Sequence, residues 1–276
     1  MAIITSIFNQ AGGVAKSTLT LNLGYALAQA NQRVLLVDFD PQGSLTVFLN
    51  FEPWGLSSTV YDPLMGSYTS RESLMSSLEL AIVTAHGMDL LPANRRLGKA
   101  ELELFSAMNR ERKLAAMLEP LGDRYDWILI DCPPSLGLLS ISALAASHGV
   151  LVPVETEYKS WVGTDLLLET IALVRREINP KLSIFGFIPT KYAKAKSQHQ
   201  RVLKAMQEQL SAAGKVFDPV PNATAFADAS ESGLPLARYD RRHAALGSIQ
   251  FLADSLLATH TGVGNPAKPA SKIKAR

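Results

Sequence analysis

Short apolar runs of strand length alternate along the chain with longer segments in which apolar positions recur every three or four residues. Near-continuous apolar runs of this kind are typical of strands that are buried on both faces of a parallel sheet. The helical segments between them would cover those two faces. The pattern therefore predicts an α/β fold, a doubly wound, mostly parallel sheet with helices on both faces. We expect strands at residues 2–9, 33–38, 126–131, 150–154, 182–189 and 216–220, and helices at 17–30, 97–118, 135–147, 164–178, 198–213 and 243–258.

The domain organisation follows from length and local composition. The chain has 276 residues, which fits one large domain or two small ones. Residues 51–70 are rich in Pro, Gly and Ser and are expected to form an irregular excursion. Residues 261–276 carry four basic side chains and few large apolar ones, as in a flexible tail. We expect one domain over residues 1–260 and a basic tail over 261–276.

Composition excludes several classes of protein. The chain is 47% hydrophobic and 19% charged, which is incompatible with a disordered protein. A single cysteine, Cys132, excludes a disulfide framework and any metal cluster that needs several cysteines from one chain. No apolar run reaches the roughly 20 residues of a membrane span, and the N-terminus lacks the features of a secretion signal. We therefore expect a cytoplasmic protein.

A glycine-containing segment directly follows the first predicted strand and precedes a predicted helix. Backbone N–H groups in such a turn can converge on phosphate oxygens, and the helix adds its positive N-terminal end. The segment is close to the phosphate-loop pattern Gly-x-x-x-x-Gly-Lys-Ser/Thr, although Gln10 and Ala15 stand in place of its two glycines. The prediction is a P-loop NTPase-like fold with a nucleotide-binding segment made of Gly12, Gly13, Val14, Ala15, Lys16, Ser17 and Thr18.

Three carboxylates follow predicted strands, at the points where those strands end. Asp38 and Asp40 come at the end of the second strand, and Asp131 closes the apolar run at 127–130. Ligands of open α/β sheets collect at the carboxyl edge of the strands, so these acids should lie beside the phosphate loop. Together with the Ser17 hydroxyl, they are suitable ligands for a Mg²⁺ ion that accompanies ATP.

With these motifs in place, the sequence resembles the ParA/MinD family of deviant-Walker ATPases, which position plasmids, chromosomes and other cargo. The resemblance covers roughly residues 2–258 and rests on three segments, which are 12–18, 38–43 and 128–134. It implies that ATP is held between two subunits of a sandwich dimer. It also implies that the ATP-bound dimer binds non-specific DNA, or a membrane in some branches. A partner adaptor protein would then stimulate hydrolysis.

The resemblance also implies roles for individual residues. Asp40 would position the attacking water, and Asp38 would lie beside Mg²⁺ and the phosphates. Lys16 would bind the phosphates. Ser17 and Asp131 would hold the metal or its water shell. The remaining two residues, which would lie near the adenine, are Pro221 and Asn222.

One departure from the family pattern concerns a signature lysine, which crosses the dimer to the partner's phosphates. The corresponding position here is Ala11, and an alanine cannot neutralise phosphate charge. The carboxysome-positioning McdA branch also lacks this lysine, which makes McdA the nearest subfamily. Lys159 is the first candidate replacement, because its loop follows a strand and opens on the ligand edge. The alternative is that Lys159 only offsets neighbouring acids, and Lys191 is the second candidate.

The formal net charge is +2, but the charged residues are distributed unevenly along the chain. Residues 1–180 carry 13 basic and 19 acidic side chains, whereas residues 181–215 carry seven basic side chains and one acid. Such a stretch is either a solvated helix face or a surface for a polyanion. Given the family resemblance, we expect nucleoid association through non-specific DNA and no membrane binding. The expected DNA contacts are Lys191, Lys194, Lys196, Arg201 and Lys204.

Several functions remain open at this point. The first is an ATPase that positions a carboxysome or similar cargo, and plasmid or chromosome partition is its alternative. A different class would be a metabolic synthetase that uses ATP on the same fold. The five histidines are scattered along the chain and form no extra catalytic cluster in the sequence. A nitrogenase-iron-protein-like carrier is excluded, because it needs two cluster cysteines per subunit.

Overall fold

The computed structural model describes residues 1–159 and 163–261 of the chain, and the predicted tail from residue 262 onward lies outside this range. Seven strands form one sheet in the order β3-β4-β2-β5-β1-β6-β7. Every neighbouring pair is parallel except β3 and β4. The strands are β1 Ile3–Ile7, β2 Val34–Asp38, β3 Val83–Ala85, β4 Met88–Leu91, β5 Trp127–Asp131, β6 Gly149–Glu155 and β7 Ser183–Thr190.

Helices cover both faces of this sheet, which confirms the predicted doubly wound fold. The first and last helices share one apolar layer with alternate side chains of the central strands. The other face packs against most of the remaining helices in a second, larger layer. The helices are α1 Lys16–Gln29, α2 Ser44–Phe48, α3 Tyr61–Met65, α4 Arg71–Ala81, α5 Leu97–Glu103, α6 Lys113–Leu118, α7 Leu138–Ala146, α8 Thr164–Glu177, α9 Ser197–Leu210, α10 Ala225–Glu231, α11 Leu236–Tyr239 and α12 Leu246–Thr261.

Two predicted elements are corrected by the structure. The predicted strand at 216–220 is not a strand, because Val216 forms only an isolated bridge with Phe187. The predicted helix at 97–118 is broken into α5, two 3₁₀ turns and α6. Ala107 is extended and Asn109 has a φ of 53°, and neither conformation continues a helix.

A hairpin that the pattern did not predict extends the sheet at one edge. Strands β3 and β4 are joined by the two-residue turn His86-Gly87, in which both residues have positive φ. Positive φ at both turn positions matches the right-handed twist of a hairpin. The helix α4 before it was also missed.

The central strands end together at one edge, and this edge positions the site. Asp38 at the end of β2 is in register with Asp131 at the end of β5. Asp131 is in turn in register with Ile7, which ends β1. The segment between β1 and α1 therefore begins beside both carboxylates. Among the described residues, no helix combines the length and apolar character that crossing a bilayer requires.

Candidate functional site

The segment between β1 and α1 turns sharply through two residues with left-handed backbones. Gly13 has a φ of 75°, and Ala15, directly before the helix, has a φ of 71°. Left-handed backbone is unstrained for glycine and costs an L-alanine roughly 1 kcal/mol. Ala15 therefore adopts the conformation of the glycine that it replaces in the phosphate-loop pattern. The N-terminal N–H groups of α1 begin directly after this turn, as an anion site requires.

Lys16 is the cation of this loop, and its side chain is 7% exposed. Its Nζ donates a hydrogen bond to the Ala11 carbonyl at 2.9 Å. Burial lowers the pKa of Lys16, and the negative charge of Asp131 acts in the opposite direction. A buried ammonium with one hydrogen bond to a neutral carbonyl is suited to accept a phosphate as a stronger partner.

Two polar side chains outside the motif hold the loop in place. Asn9 donates to the Pro153 carbonyl at 2.7 Å and accepts from the Ala11 N–H at 2.9 Å. Thr190, at the end of β7, donates to the Val14 carbonyl at 3.1 Å. Neither role was predicted, because local spacing does not show that Asn9 contacts β6 or that Thr190 reaches the loop from β7.

Asp38 is fully buried and accepts hydrogen bonds from two neighbouring segments. Its carboxylate accepts from the Thr46 N–H at 2.8 Å and from the Thr46 hydroxyl at 2.7 Å. Burial raises the pKa of Asp38 to about 7, although the hydrogen bonds from Thr46 oppose this shift. Thr46 was not predicted, since an ordinary α2 hydroxyl carries no motif signal.

Asp131 is also fully buried, and its Oδ2 has no hydrogen-bond partner among the described residues. Burial and the nearby charge of Asp38 raise the pKa of Asp131 well above its usual range. The Ser17 hydroxyl beside this carboxylate opposes the upward shift of its pKa, and the Thr20 hydroxyl lies 3.5 Å from Oδ1. An orphaned buried carboxylate oxygen beside a serine hydroxyl fits a divalent cation, which would supply the missing partner.

No cluster of three or more His, Cys, Asp or Glu side chains suitable for a metal occurs in the described part of the chain. Proteins bind Mg²⁺ through one or two carboxylates, while waters and substrate phosphates fill the other positions. The residues that would hold it are Ser17, Asp38 and Asp131.

Asp40 lies closer to the opening of the site. Its Oδ1 accepts the Gln42 N–H at 2.9 Å. Burial raises the pKa of Asp40, while the hydrogen bond from Gln42 and the charge of Lys16 lower it. Asp40 lines a cavity of about 370 Å³ together with Gly12, Gly13, Ala15, Lys16, Ser17 and Thr18. A carboxylate in this place could orient a water molecule near a bound phosphate.

A second cavity of about 450 Å³ adjoins the first and shares Ala15, Thr18, Phe48 and Lys191 with it. Its walls include Pro221 and Asn222, the two residues expected near the adenine. The structure therefore brings these residues to the phosphate loop. Val47, Phe48 and Phe226 add apolar surface that suits a flat aromatic base.

The two candidate replacement lysines occupy different places. Lys159 is exposed, just before the undescribed residues 160–162. Lys191 is half-buried and lines both cavities, and its Nζ forms an ion pair with Glu155 at 3.1 Å. The structure therefore places Lys191 at the phosphate loop and not on α9, the helix that carries Arg201 and Lys204.

That helix, α9, buries Val202, Met206 and Leu210, as its apolar spacing predicts. The remaining four residues of the expected DNA surface are exposed. Two of them pair with acids, Lys196 with Glu157 at 3.7 Å and Lys204 with Glu208 at 3.7 Å. The four side chains, which we call the basic surface, are Lys194, Lys196, Arg201 and Lys204.

A buried histidine ties the start of α9 to the loops after β6 and β7. His199 is 2% exposed, and its Nδ1 accepts the Ala193 N–H at 3.1 Å. Its Nε2 lies 3.0 Å from the Glu157 carboxylate. Because Nδ1 accepts a backbone N–H, the ring proton lies on Nε2 and is donated to Glu157.

The chain is similar in sequence to known proteins. A family model described as an AAA domain matches residues 1–184. The chain is 35% identical over 272 residues to the chromosome partitioning protein ParA of Myxococcus xanthus, covering 98% of this chain and 92% of that protein.

Solved structures share the fold. Cobyrinic acid a,c-diamide synthase from Mycobacterium smegmatis, solved with ADP and magnesium, has a TM-score of 0.79 and 32% identity. The match covers 96% of this chain and 97% of that chain. The Cyanothece McdA(D38A)–ATP complex has a TM-score of 0.81 at 23% identity, covering 97% and 99%, which shows the fold alone. The AAA-domain match and the extended similarity to ParA show that this chain belongs to the ParA/MinD family.

Proposed function

We propose that this chain is an ATPase that binds ATP with Mg²⁺, dimerises around ATP on non-specific DNA and positions a cellular cargo. The observation that carries the proposal is that Lys16 and Asp40 line the cavity of the phosphate loop, while Asp131, whose charge acts on Lys16, is buried in register with Asp38. The ADP and magnesium bound by the Mycobacterium smegmatis relative support this choice of ligand.

Each residue of the site has a part in this activity. The loop N–H groups and Lys16 bind the phosphates, and Pro221 and Asn222 border the base. Ser17, Asp38 and Asp131 hold Mg²⁺, which neutralises phosphate charge when bound. Asp40 orients the attacking water. The left-handed Ala15 keeps the loop tightly turned beneath the phosphates.

An exposed apolar surface near the site supports dimerisation. Leu102, Phe105 and Met108 are 79%, 75% and 88% exposed. Their segment adjoins the site, because Glu101 at its start accepts the Leu138 N–H at 2.7 Å in the segment after β5. We call these three residues the apolar surface and propose that a second copy of the chain covers it in the ATP-bound dimer.

The basic surface supports the DNA contact. Within the described residues, no ion pair joins Lys194 or Arg201 to a carboxylate, so both charges can reach phosphates. Contacts of this type bind the backbone without reading bases, and they weaken steeply as salt rises.

The proposed cargo is based on the names of the relatives. ParA of Myxococcus xanthus is named as a chromosome partitioning protein, and similarity to it spans nearly the whole chain. We therefore propose partition of a plasmid or chromosome as the first choice. The second choice is carboxysome positioning, with an McdA-like dimer that lacks the lysine at position 11. In both, hydrolysis is slow and an adaptor protein stimulates it.

Retention on mixed-sequence DNA tests the proposal. We expect retention with ATP that is lost with ADP or without nucleotide, and that falls as salt rises. The double variant Lys194→Glu, Arg201→Glu should abolish it. Arg175→Glu, Arg176→Glu, which makes the same charge change on α8, is the matched control. Nucleotide-independent retention, or none at low salt, would contradict the proposal.

A metabolic synthetase is the second candidate, because the 32% identical relative is named as a diamide synthase. Turnover separates the two functions. A synthetase would consume ATP rapidly only when a carboxylate metabolite and an amine donor are present. The positioning ATPase would remain slow with such metabolites and respond instead to DNA and its adaptor.

A further inference from the structure

We propose that Lys191 is a second phosphate-binding cation of the same subunit, and that Glu155 holds it in place until nucleotide arrives. The inference rests on the proposed ATPase function and adds a residue to its site. It differs from a lysine that crosses the dimer, because Lys191 lies beside the phosphate loop of its own chain.

The position of Lys191 relative to the loop is the first observation. A Cβ placed on Gly13 would lie 3.9 Å from the Lys191 Nζ. The ammonium is therefore directly above the middle of the loop, where phosphate oxygens would collect. Lys191 also lines both cavities, so it stands where the base and phosphate ends of a nucleotide would meet.

The backbone holds Lys191 in this place from both sides. The preceding residue, Thr190, donates to the Val14 carbonyl of the loop at 3.1 Å. The following N–H, of Tyr192, donates to the Val220 carbonyl at 3.0 Å. Lys191 itself has a φ of 52°, which is uncommon for a residue with a long side chain. Such strain persists where surrounding contacts fix the conformation.

Charge explains the need for a second cation. ATP carries several negative charges, and Lys16 is the one cationic side chain within the phosphate loop itself, residues 9–18. Position 11 holds alanine. Lys191 is 41% exposed and Glu155 22% exposed, so their pair at 3.1 Å can exchange partners without leaving solvent completely. A polyphosphate offers Lys191 more negative charge than one carboxylate does, and Glu155 therefore competes with nucleotide for this ammonium.

The competition gives opposite effects for the two partners. Lys191→Gln should weaken ADP and ATPγS binding about ten-fold, as expected for the loss of one charge-assisted hydrogen bond. Lys191→Arg should retain most of the affinity. Glu155→Gln should strengthen binding several-fold, since the competing carboxylate is removed. Lys181→Gln, two residues before the other end of β7, is the matched control and should leave affinity unchanged.

Calorimetry with ADP and Mg²⁺ on the full chain, at a protein concentration where it is monomeric, is the decisive measurement. A purely structural ion pair would lower the melting temperature in both the Lys191→Gln and Glu155→Gln variants and would not move their affinities in opposite directions. Unchanged affinity in Lys191→Gln, or weaker binding in both variants, would overturn the inference.

The same experiment separates this inference from the proposed function. Failure of the wild-type chain to bind either nucleotide would remove the ATPase proposal itself. Wild-type binding with an unaltered Lys191→Gln variant would remove only the role of Lys191. Loss of DNA retention in Lys191→Gln with normal ADP affinity would also overturn the inference and return Lys191 to the DNA contacts.

Discussion

Asp38 and Asp131 end neighbouring strands in register, and both carboxylates are fully buried. Burial raises the pKa of both carboxyl groups, and the charge of Asp38 raises the pKa of Asp131 further. The Asp38 carboxylate has hydrogen bonds from Thr46 and Asp40, whereas the Asp131 Oδ2 has no partner in the described part of the chain. The nucleotide-free site is therefore electrostatically unfavourable, and a divalent cation would relieve it.

Replacing Asp131 tests this relationship. Asp131→Asn removes one of the two buried charges, so the nucleotide-free protein should become more stable by about 1 kcal/mol or more. The same variant should lose Mg²⁺-dependent nucleotide binding. Chemical denaturation without nucleotide, followed by calorimetry with and without Mg²⁺, would measure both effects. A variant that is less stable and binds Mg²⁺-nucleotide normally would contradict the assignment.

The raised pKa of Asp38 predicts a pH dependence of stability. The folded pKa is about 7 and the ordinary value is 3.8, so the folded state binds more protons than the unfolded state between these two values. Stability contributed by the protonated group is therefore present at low pH and is lost as pH rises toward 7. In nucleotide-free protein, Asp38→Asn should flatten the slope of the unfolding free energy between pH 4 and about 7. Identical slopes in the two proteins would contradict the shift.

Ala15 gives a prediction about backbone strain. Ala15→Gly should stabilise the nucleotide-free protein by about 0.5–1 kcal/mol, because its φ of 71° is unstrained for glycine. The matched control is Ala28→Gly within α1, which should destabilise by about the same amount. Urea denaturation compares the two variants, and destabilisation by both would mean that Ala15 carries no strain.

The apolar surface predicts a variant with impaired dimerisation. Phe105→Asp should weaken ATP-dependent dimerisation at least ten-fold, because it places a charge where apolar contact is proposed. Leu173→Asp changes a residue that is 49% exposed in the second half of α8 and is the control. Analytical ultracentrifugation with ATPγS would measure both, and a dimer of unaltered strength in Phe105→Asp would remove this surface from the interface.

The parts of the fold that were predictable share a physical cause. The central strands are buried on both faces, so their sequences are continuous apolar runs, and the motif residues follow directly where those runs end. The hairpin at one edge of the sheet was missed, because strands of three and four residues carry little pattern. Residues 216–220 have strand-like composition, yet they contact β7 only through an isolated bridge at Val216 and scattered hydrogen bonds from Phe217 and Val220, which do not make a strand.

The site residues also fall into two groups, those that the sequence predicted and those that it did not. Asp38 and Asp131 end strands, and Lys16 begins the helix after the phosphate loop, so local sequence locates all three. Thr46 and Thr190 reach the site through tertiary packing, which a single sequence does not encode in any local spacing. Lys191 was predicted both as a DNA contact and as the second candidate for the missing lysine. Its side chain lines the phosphate-loop cavity and forms an ion pair with Glu155, which local spacing does not encode.

His199 connects the two loops beside the proposed nucleotide site to the helix that carries part of the proposed DNA surface. Glu157, hydrogen-bonded to His199, is two residues from Glu155, and Ala193 is two residues from Lys191. The helix that carries Arg201 and Lys204 is therefore fastened by its first turn to the two loops that border the nucleotide. Any displacement of these loops must either carry the helix with it or break the imidazole's hydrogen bonds. If the proposed function holds, His199 would therefore link the position of the two loops to the orientation of the helix that carries Arg201 and Lys204.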